Sequence, residues 1–358
     1  MSRLYQESLL LQMQPGPPNT SQPTRLLHPP KPQSMSRDVM PHHITITDDE
    51  GDERRPSRSI SRYGVPLYNY QQIPPYLKGN PYIFGGYRAH IPIGLCMRSL
   101  FIWSNETMNI WTHLLGFLYF FYLLINDNLS LLEDSHSDFG DNLTFTLMDS
   151  AFMTCMFCSA AFHLFNCISE SASKIWLRLD LGGISVGLCG CYFPGAYYAF
   201  YCHAYWQLAY LVALLILAVG SMAVQLHPQF LSSQWHYRRL FLYSILIFAG
   251  MIPVTHWALT NGGFNSPLVL VFVPKIAVMY LLAIIGGTFY VTKFPECQFP
   301  GRVDFLGSSH QWWHLFVFLG YAWIHHCTIL IYNYWMVHSC EEHFQKHQSL
   351  SSILGITD

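Results

Sequence analysis

The sequence is poor in charge. It has 19 Lys and Arg and 21 Asp and Glu residues among 358, so 11% of the chain is charged, against roughly 25% in an ordinary soluble domain. Hydrophobic residues make up 51%. A soluble globule needs a charged surface, and a wholly disordered chain needs far less apolar material, so both classes are excluded. A polytopic membrane protein remains.

Other features are also missing. The net charge of −2 provides no basic surface, which excludes a nucleic-acid partner. No repeat of fixed period is present, and no secretory signal peptide opens the chain, so we expect the first hydrophobic span to direct insertion. Most of the ten cysteines fall in apolar runs, where they are expected to be small buried hydrophobes. Histidine, by contrast, is abundant, with 18 residues.

The chain divides into four parts. Residues 1–62 are polar and rich in Pro and Ser, which predicts a disordered cytosolic tail. Residues 63–105 carry aromatics among Pro and Gly and are expected to fold against the cytosolic membrane face. Residues 106–335 form the predicted transmembrane domain, and residues 336–358 form a C-terminal tail.

Seven apolar runs in the transmembrane domain are long enough to cross ~30 Å of hydrocarbon, and each must be helical because lipid offers no partner for open backbone groups. We place them at 107–126, 146–166, 177–200, 205–226, 239–258, 269–291 and 309–332. The predicted fold class is therefore all-α, a polytopic membrane protein with seven transmembrane helices.

Orientation follows from the placement of Lys and Arg, which concentrate in cytosolic loops. Basic residues precede span 1 and follow spans 2, 4 and 6, whereas the loops after spans 1 and 3 have none. The N-terminus is therefore predicted to be cytosolic and the C-terminus lumenal or extracellular. The acidic loop at 127–145 would then be lumenal.

Ionisable groups inside membrane spans need an explanation, because burying them in hydrocarbon is expensive. Ser159 and His163 lie four residues apart in span 2, Asp180 lies in span 3, and His310 and His314 lie four residues apart in span 7. With the predicted orientation, these groups converge near the cytosolic end of three different helices.

Three imidazoles and a carboxylate at one depth suit zinc. His163, His310 and His314 would be the three protein ligands, and a water would take the fourth position. Zinc lowers the pKa of such water to ~7. Span 7 reads HQWWH and lacks the glutamate of an HExxH motif, so Asp180 is the candidate base, with Ser159 beside the substrate. The alternative reading is that each histidine is a packed, hydrogen-bonded core residue.

Other polar residues in the spans have a structural reading as well. Glu106, Asn109 and His113 follow helical spacing at the start of span 1. They could support the metal ligands, although satisfying the helix end is the favoured interpretation. His256, His325 and His326 lie near the lumenal ends of spans 5 and 7, where interfacial packing is expected.

Several motifs resemble one known family over residues 63–335. They are GYR (86–88), SNETMNIWTHLLG (104–116), SAAFHLF (159–165), LDLGGIS (179–185) and LGSSHQWWH (306–314). Together they resemble the progestin and adipoQ receptor family, which includes the adiponectin receptors. The resemblance implies seven helices, a cytosolic N-terminus, and a Zn²⁺ held by His163, His310 and His314 with Asp180 near its water.

The resemblance also implies candidate functions. It extends to a Golgi-resident branch whose implied role is to tether Raf kinase through the cytosolic N-terminal segment and damp Raf/MEK/ERK (MAPK) signalling. Some family members resemble zinc-dependent amidases of membrane lipids such as ceramide, so an enzyme is the first alternative. A receptor for a small hydrophobic ligand is the second. The expected location is the Golgi membrane, with the plasma membrane as the alternative.

Overall fold

The computed structural model describes residues 59–61 and 63–341. The tail predicted at 1–62 lies outside the described residues except for residues 59–61, and so does the part of the C-terminal tail beyond residue 341. The described residues are mainly helical. Among them are nine α-helices: α1 (Ile93–Arg98), α2 (Thr107–Glu133), α3 (Phe139–Phe165), α4 (Glu170–Ala199), α5 (Ala204–Gln225), α6 (His236–Ala249), α7 (Met251–Thr260), α8 (Pro267–Thr292) and α9 (Ser309–Val337).

Helices α2 to α9 coincide with the predicted spans. α6 and α7 follow each other directly and together make the fifth span. Six of the seven spans are long and apolar enough to cross a membrane by length and composition. The remaining one, α4, has 30 residues and carries charged side chains in its first three turns, which lowers its apolar content. The all-α, polytopic membrane class is confirmed.

Helices α2 and α3 are longer than their apolar runs. The predicted lumenal loop at 127–145 is mostly helical, because α2 continues to Glu133 and α3 begins at Phe139. Polar side chains support the extra turn: Asn128 Nδ2 donates to the carbonyl of Leu124, and Ser130 Oγ to that of Asn126. Hydropathy marks where the apolar face ends, whereas hydrogen bonding decides where the helix ends.

Glycines let α4 approach α3 closely. A Cβ on Gly183 would lie 3.1 Å from the Cα of Cys155, and one on Gly190 would lie 2.7 Å from the Cβ of Ala151. The first contact is with backbone and the second with an atom attached directly to it, so neither neighbour can rotate away. Small residues at such a seam allow the close backbone approach on which helix association in membranes depends.

Residues 63–105, which we name the cap, fold as a unit at the end of the bundle where α2 begins. β1 (Ser59–Ile60) lies just before the cap and pairs antiparallel with β2 (Pro66–Leu67), which lies near the start of the cap. The cap is fastened to the loop that precedes α9. Glu296, fully buried, accepts from Asn80 Nδ2 at 3.0 Å and from the backbone N–H of Ser309 at 2.7 Å. Asp304 accepts from the N–H of Gly85 at 2.8 Å.

A disulfide bond joins Cys202, between α4 and α5, to Cys340, just beyond α9. Disulfides form and persist in oxidising compartments. The pairing therefore agrees with the predicted lumenal or extracellular location of this end of the bundle. The cysteines of the apolar runs are free, and Cys155 is buried in the bundle; they are Cys155, Cys158, Cys189, Cys191 and Cys327.

We predict that Gly190→Ala lowers stability. Overpacking a closed contact costs ~1–3 kcal/mol, and the better helix propensity of Ala offsets ~1 kcal/mol of this. A Cβ added to Gly195, in the same helix, would meet no atom within 4 Å, so Gly195→Ala is the matched control and should be neutral or stabilising. Thermal unfolding midpoints in detergent micelles measure both. Equal shifts in the two variants would contradict the packing argument.

Candidate metal centre

Three histidines from two helices meet at the end of the bundle next to the cap. His163 is in the last turn of α3, and His310 and His314 are in the first two turns of α9. One donor atom from each lies within 4.8 Å of the others. The Nε2 atoms of His163 and His310 are 3.2 Å apart. His163 and His314 are buried, and His310 is half-buried.

Hydrogen bonds orient two of the three imidazoles. His163 Nδ1 donates to the Glu106 carboxylate at 2.8 Å, and His314 Nδ1 donates to the Asn109 carbonyl at 3.1 Å. Each bond leaves Nε2 with its lone pair free. Metal-binding histidines in proteins usually have their second nitrogen held by a carboxylate or carbonyl in this way. The donor set and its supports therefore fit a zinc ion.

The residues at the start of α2 lie directly against these imidazoles. Asn109 Nδ2 donates to Glu106 at 2.7 Å. The ring of His113 stacks on that of His314 with a centroid separation of 3.7 Å, and His113 Nε2 donates to the His314 carbonyl at 3.3 Å. The structure therefore places Glu106, Asn109 and His113 where they contact the candidate ligands, as well as at a helix end.

Asp180 and Ser159 lie beside a cavity that the histidines reach. Both line this cavity of about 710 Å³, which also reaches His310 and His314. The Ser159 side chain interacts with the Asp180 carboxylate. Asp180 does not belong to the group of three donor atoms, in keeping with the predicted role beside a water rather than on the metal.

The cavity extends from the histidines along α6 and α8. Its wall includes Phe248 of α6 and Ile284 and Val291 of α8. These side chains are 52%, 53% and 61% exposed. The exposure of these lining residues points to an opening of the cavity at the surface that α6 and α8 form.

Arg88 is a site residue that sequence reasoning did not assign. It is buried, and its guanidinium donates to the carbonyl of His163 at 2.6 Å and to Ser99 Oγ at 2.5 Å. A buried arginine needs acceptors, and here the backbone of a candidate ligand provides one. In the sequence, Arg88 belongs to the GYR segment (86–88). That segment supported the family resemblance but did not indicate that Arg88 contacts His163.

His325, for which interfacial packing was expected, is buried among the helices. α9 continues beyond it to Val337, some three turns further. Its Nε2 lies 2.5 Å from Asp127 Oδ2. Asp127, Asp149 and His325 form a second group whose donor atoms lie within 4.8 Å of one another. His326 is exposed, and His256 is half-buried beside Tyr210.

The fold and the site together define an integral membrane protein with a helical bundle, a folded cap and a buried three-histidine cluster. Comparison with known proteins gives the family. Residues 101–326 match the haemolysin-III-related family, and the chain is similar to progestin and adipoQ receptor proteins over most of its length. The chain belongs to this family.

Relatives come from distant organisms. The chain is 44% identical to progestin and adipoQ receptor family member 3 of Homo sapiens over 272 residues, which cover 76% of this chain and 88% of the relative. It is 31% identical to heptahelical transmembrane protein 1 of Arabidopsis thaliana, covering 76% and 82% of the two chains. It is 29% identical to the adiponectin receptor protein of Drosophila melanogaster, covering 75% and 60%.

We predict that Glu106→Gln weakens zinc binding. The amide cannot hold the His163 Nδ1 proton as a carboxylate does, and loss of such an outer contact typically costs 10–100-fold in metal affinity. Glu170→Gln is the matched control, because Glu170 pairs only with exposed Lys174 among the residues whose ion pairs are described. Competition with a chromogenic chelator measures both affinities. An unchanged affinity in Glu106→Gln would refute the positioning role.

Proposed function

We propose that the protein is a zinc-dependent hydrolase of membrane lipid amides, with ceramide as the simplest substrate. The observation that carries this proposal is the position of the three histidines, which lie beside a mainly apolar cavity whose lining includes exposed residues of α6 and α8. An enzyme for a water-soluble substrate needs no apolar cavity of this kind. We infer that a lipid enters at these two helices without leaving the bilayer.

The chain's residues divide the chemistry among them. His163, His310 and His314 would hold the zinc, which would supply a water of lowered pKa and a Lewis acid for the amide carbonyl. The Asp180 carboxylate takes a proton as general base and returns it to the leaving amine. Ser159 donates to Asp180 or to the substrate oxygen. Glu106 and the Asn109 carbonyl hold the imidazoles in place.

The cavity wall matches a lipid chain. Beyond the polar end its lining consists mainly of apolar side chains from α4, α6, α8 and α9, such as Leu188, Ile247, Met279 and Val317. An acyl chain that moves from the bilayer into such a cavity exchanges one apolar surrounding for another, so it enters without a desolvation penalty. This supports a substrate that has its amide at the histidines and its hydrocarbon in the cavity.

The metal part of the proposal has its own test. We expect purified wild-type protein to hold more zinc than the His310→Ala, His314→Ala double variant, by about one equivalent per chain, in elemental analysis. A His227→Ala, His236→Ala variant, which changes two histidines outside the cluster, serves as the control and should match the wild type. Equal zinc contents in all three proteins would show that the three histidines do not bind zinc.

The catalytic part is tested separately with zinc-loaded protein in ceramide-containing micelles. We expect fatty-acid release from the wild type and a loss of 10²–10⁴-fold in rate for Asp180→Asn, which is the range for a general base. Zinc content should stay unchanged in this variant. If the wild type holds zinc and releases no fatty acid, the hydrolase is refuted and a receptor for a hydrophobic ligand replaces it.

A second candidate function concerns the cap. We propose that the protein resides in the Golgi membrane and that its cytosolic cap recruits Raf kinase, which lowers MAPK signalling. The supporting observation is that the cap is a folded unit rather than a linker, held to the loop before α9 by buried Glu296 and Asp304. A folded cytosolic unit can present a fixed surface to a protein partner.

The recruitment proposal is tested with substitutions on the surface of the cap. Deleting the whole cap would also remove Arg88 and its hydrogen bond to His163. We predict that Gln71→Glu with Lys78→Glu, at exposed cap positions, reduces Raf at Golgi membranes about fivefold or more in imaging of transfected cells. Lys174→Glu, an exposed lysine that precedes span 3 on the same membrane face, is the control. Unchanged recruitment in the cap variant, with correct Golgi location, would refute this surface.

A further inference from the structure

A second cluster of ionisable side chains lies inside the bundle, well away from the three histidines. It consists of Asp127 in α2, Asp149 in α3 and His325 in α9. His325 is 11 residues beyond His314 on the same helix, which corresponds to about 16 Å at 1.5 Å per residue. The cluster therefore lies toward the disulfide-bonded end of the bundle and shares no residue with the candidate zinc centre.

Because the cluster is buried, its charged side chains raise the free energy of the folded protein unless a bound ion compensates their charge. Asp127, Asp149 and His325 are 8%, 0% and 4% exposed. Their neighbours along the helices, Phe145 and Met148, belong to the apolar core. Moving an ionised carboxylate into such surroundings costs several kcal/mol unless an opposite charge compensates it.

Protein groups do not supply enough compensation. Asp127 Oδ2 contacts His325 Nε2, and Asp127 Oδ1 accepts a long 3.4 Å bond from Asn126 Nδ2. Both side-chain oxygens of Asp149 are buried without a hydrogen-bond donor. The neighbouring carboxylate of Asp127 has the same charge and can hydrogen-bond to Asp149 only when the two share a proton. Among the residues that the structure describes, no Lys or Arg forms an ion pair with either carboxylate. Two carboxylates thus face one imidazole.

We propose that Asp127, Asp149 and His325 bind a divalent transition-metal cation. Two carboxylates and a neutral imidazole carry two negative charges, which a divalent cation neutralises. The donor atoms, all within 4.8 Å of one another, can surround an ion at the ~2.0–2.2 Å distances found for zinc. A set with two oxygens and one nitrogen suits Mn²⁺ or Zn²⁺. The unpartnered oxygens of Asp149 would become ligands.

The cation would act as a structural cross-link. The three ligands come from three helices, α2, α3 and α9, so one ion would tie these helices together. The candidate zinc centre ties α3 to α9 nearer the cap. The bundle would then be clamped at two depths by two metal sites with different donor sets. This inference does not depend on the hydrolase or on Raf recruitment.

The test uses the full chain with the first site removed. The His310→Ala, His314→Ala variant is purified, stripped with a chelator and titrated with Mn²⁺, and free Mn²⁺ is followed by electron paramagnetic resonance. We expect about one Mn²⁺ bound per chain and a thermal midpoint that rises on addition of the metal. Adding Asp149→Asn to this variant should weaken Mn²⁺ binding at least tenfold and abolish the shift.

Two controls keep the outcome decisive. Adding Glu133→Gln instead, at an exposed acid on the same end of α2, should leave binding unchanged. The unmodified cluster is itself under test in the double-histidine variant, so a misfolded Asp149→Asn protein does not obscure the result. If that variant binds neither Mn²⁺ nor Zn²⁺ stoichiometrically, the cluster is a proton-sharing acid pair with a histidine and the proposal is overturned. Undiminished binding in Asp149→Asn would overturn it as well.

Discussion

Polar side chains buried in this bundle form hydrogen bonds with groups on other helices, and this constraint determines which helix faces meet. His163 on α3 is held by Glu106, which precedes α2, and His325 on α9 contacts Asp127 on α2. Near the disulfide, Tyr198 on α4 donates to Asp141 on α3 at 2.8 Å. Hydrocarbon discriminates little between one apolar helix face and another, so contacts of this kind fix the rotation of each helix about its axis.

The cap and the metal centre depend on the same contacts. Arg88 belongs to the cap, yet its guanidinium binds the backbone carbonyl of a candidate ligand. Glu296 in turn joins the cap to the first residue of α9, one residue before His310. A displacement of the cap would therefore shift His163 and His310, which are two of the three candidate ligands. The two proposed functions, one on the cap and one in the cavity, are mechanically connected through these contacts.

Hydropathy and charge placement were enough to predict the all-α membrane class and the approximate limits of seven spans. Depth was also accessible from sequence, because helix direction and residue position place His163 and His310 at the same end of the bundle. What sequence could not provide was the rotation of each helix. The contact between Asp127 and His325 depends on that rotation, and so does the burial of Arg88 behind His163, and neither leaves a periodic signal in the chain.

The disulfide between Cys202 and Cys340 limits how far α4 and α9 can separate at one end of the bundle. It closes a covalent ring over a sequence separation of 138 residues, with α5 to α9 inside the ring. α9 is joined at that end to the connection after α4, so these two helices cannot separate there. Any widening of the cavity that separates α4 from α9 would therefore have to occur toward the cap, away from the disulfide.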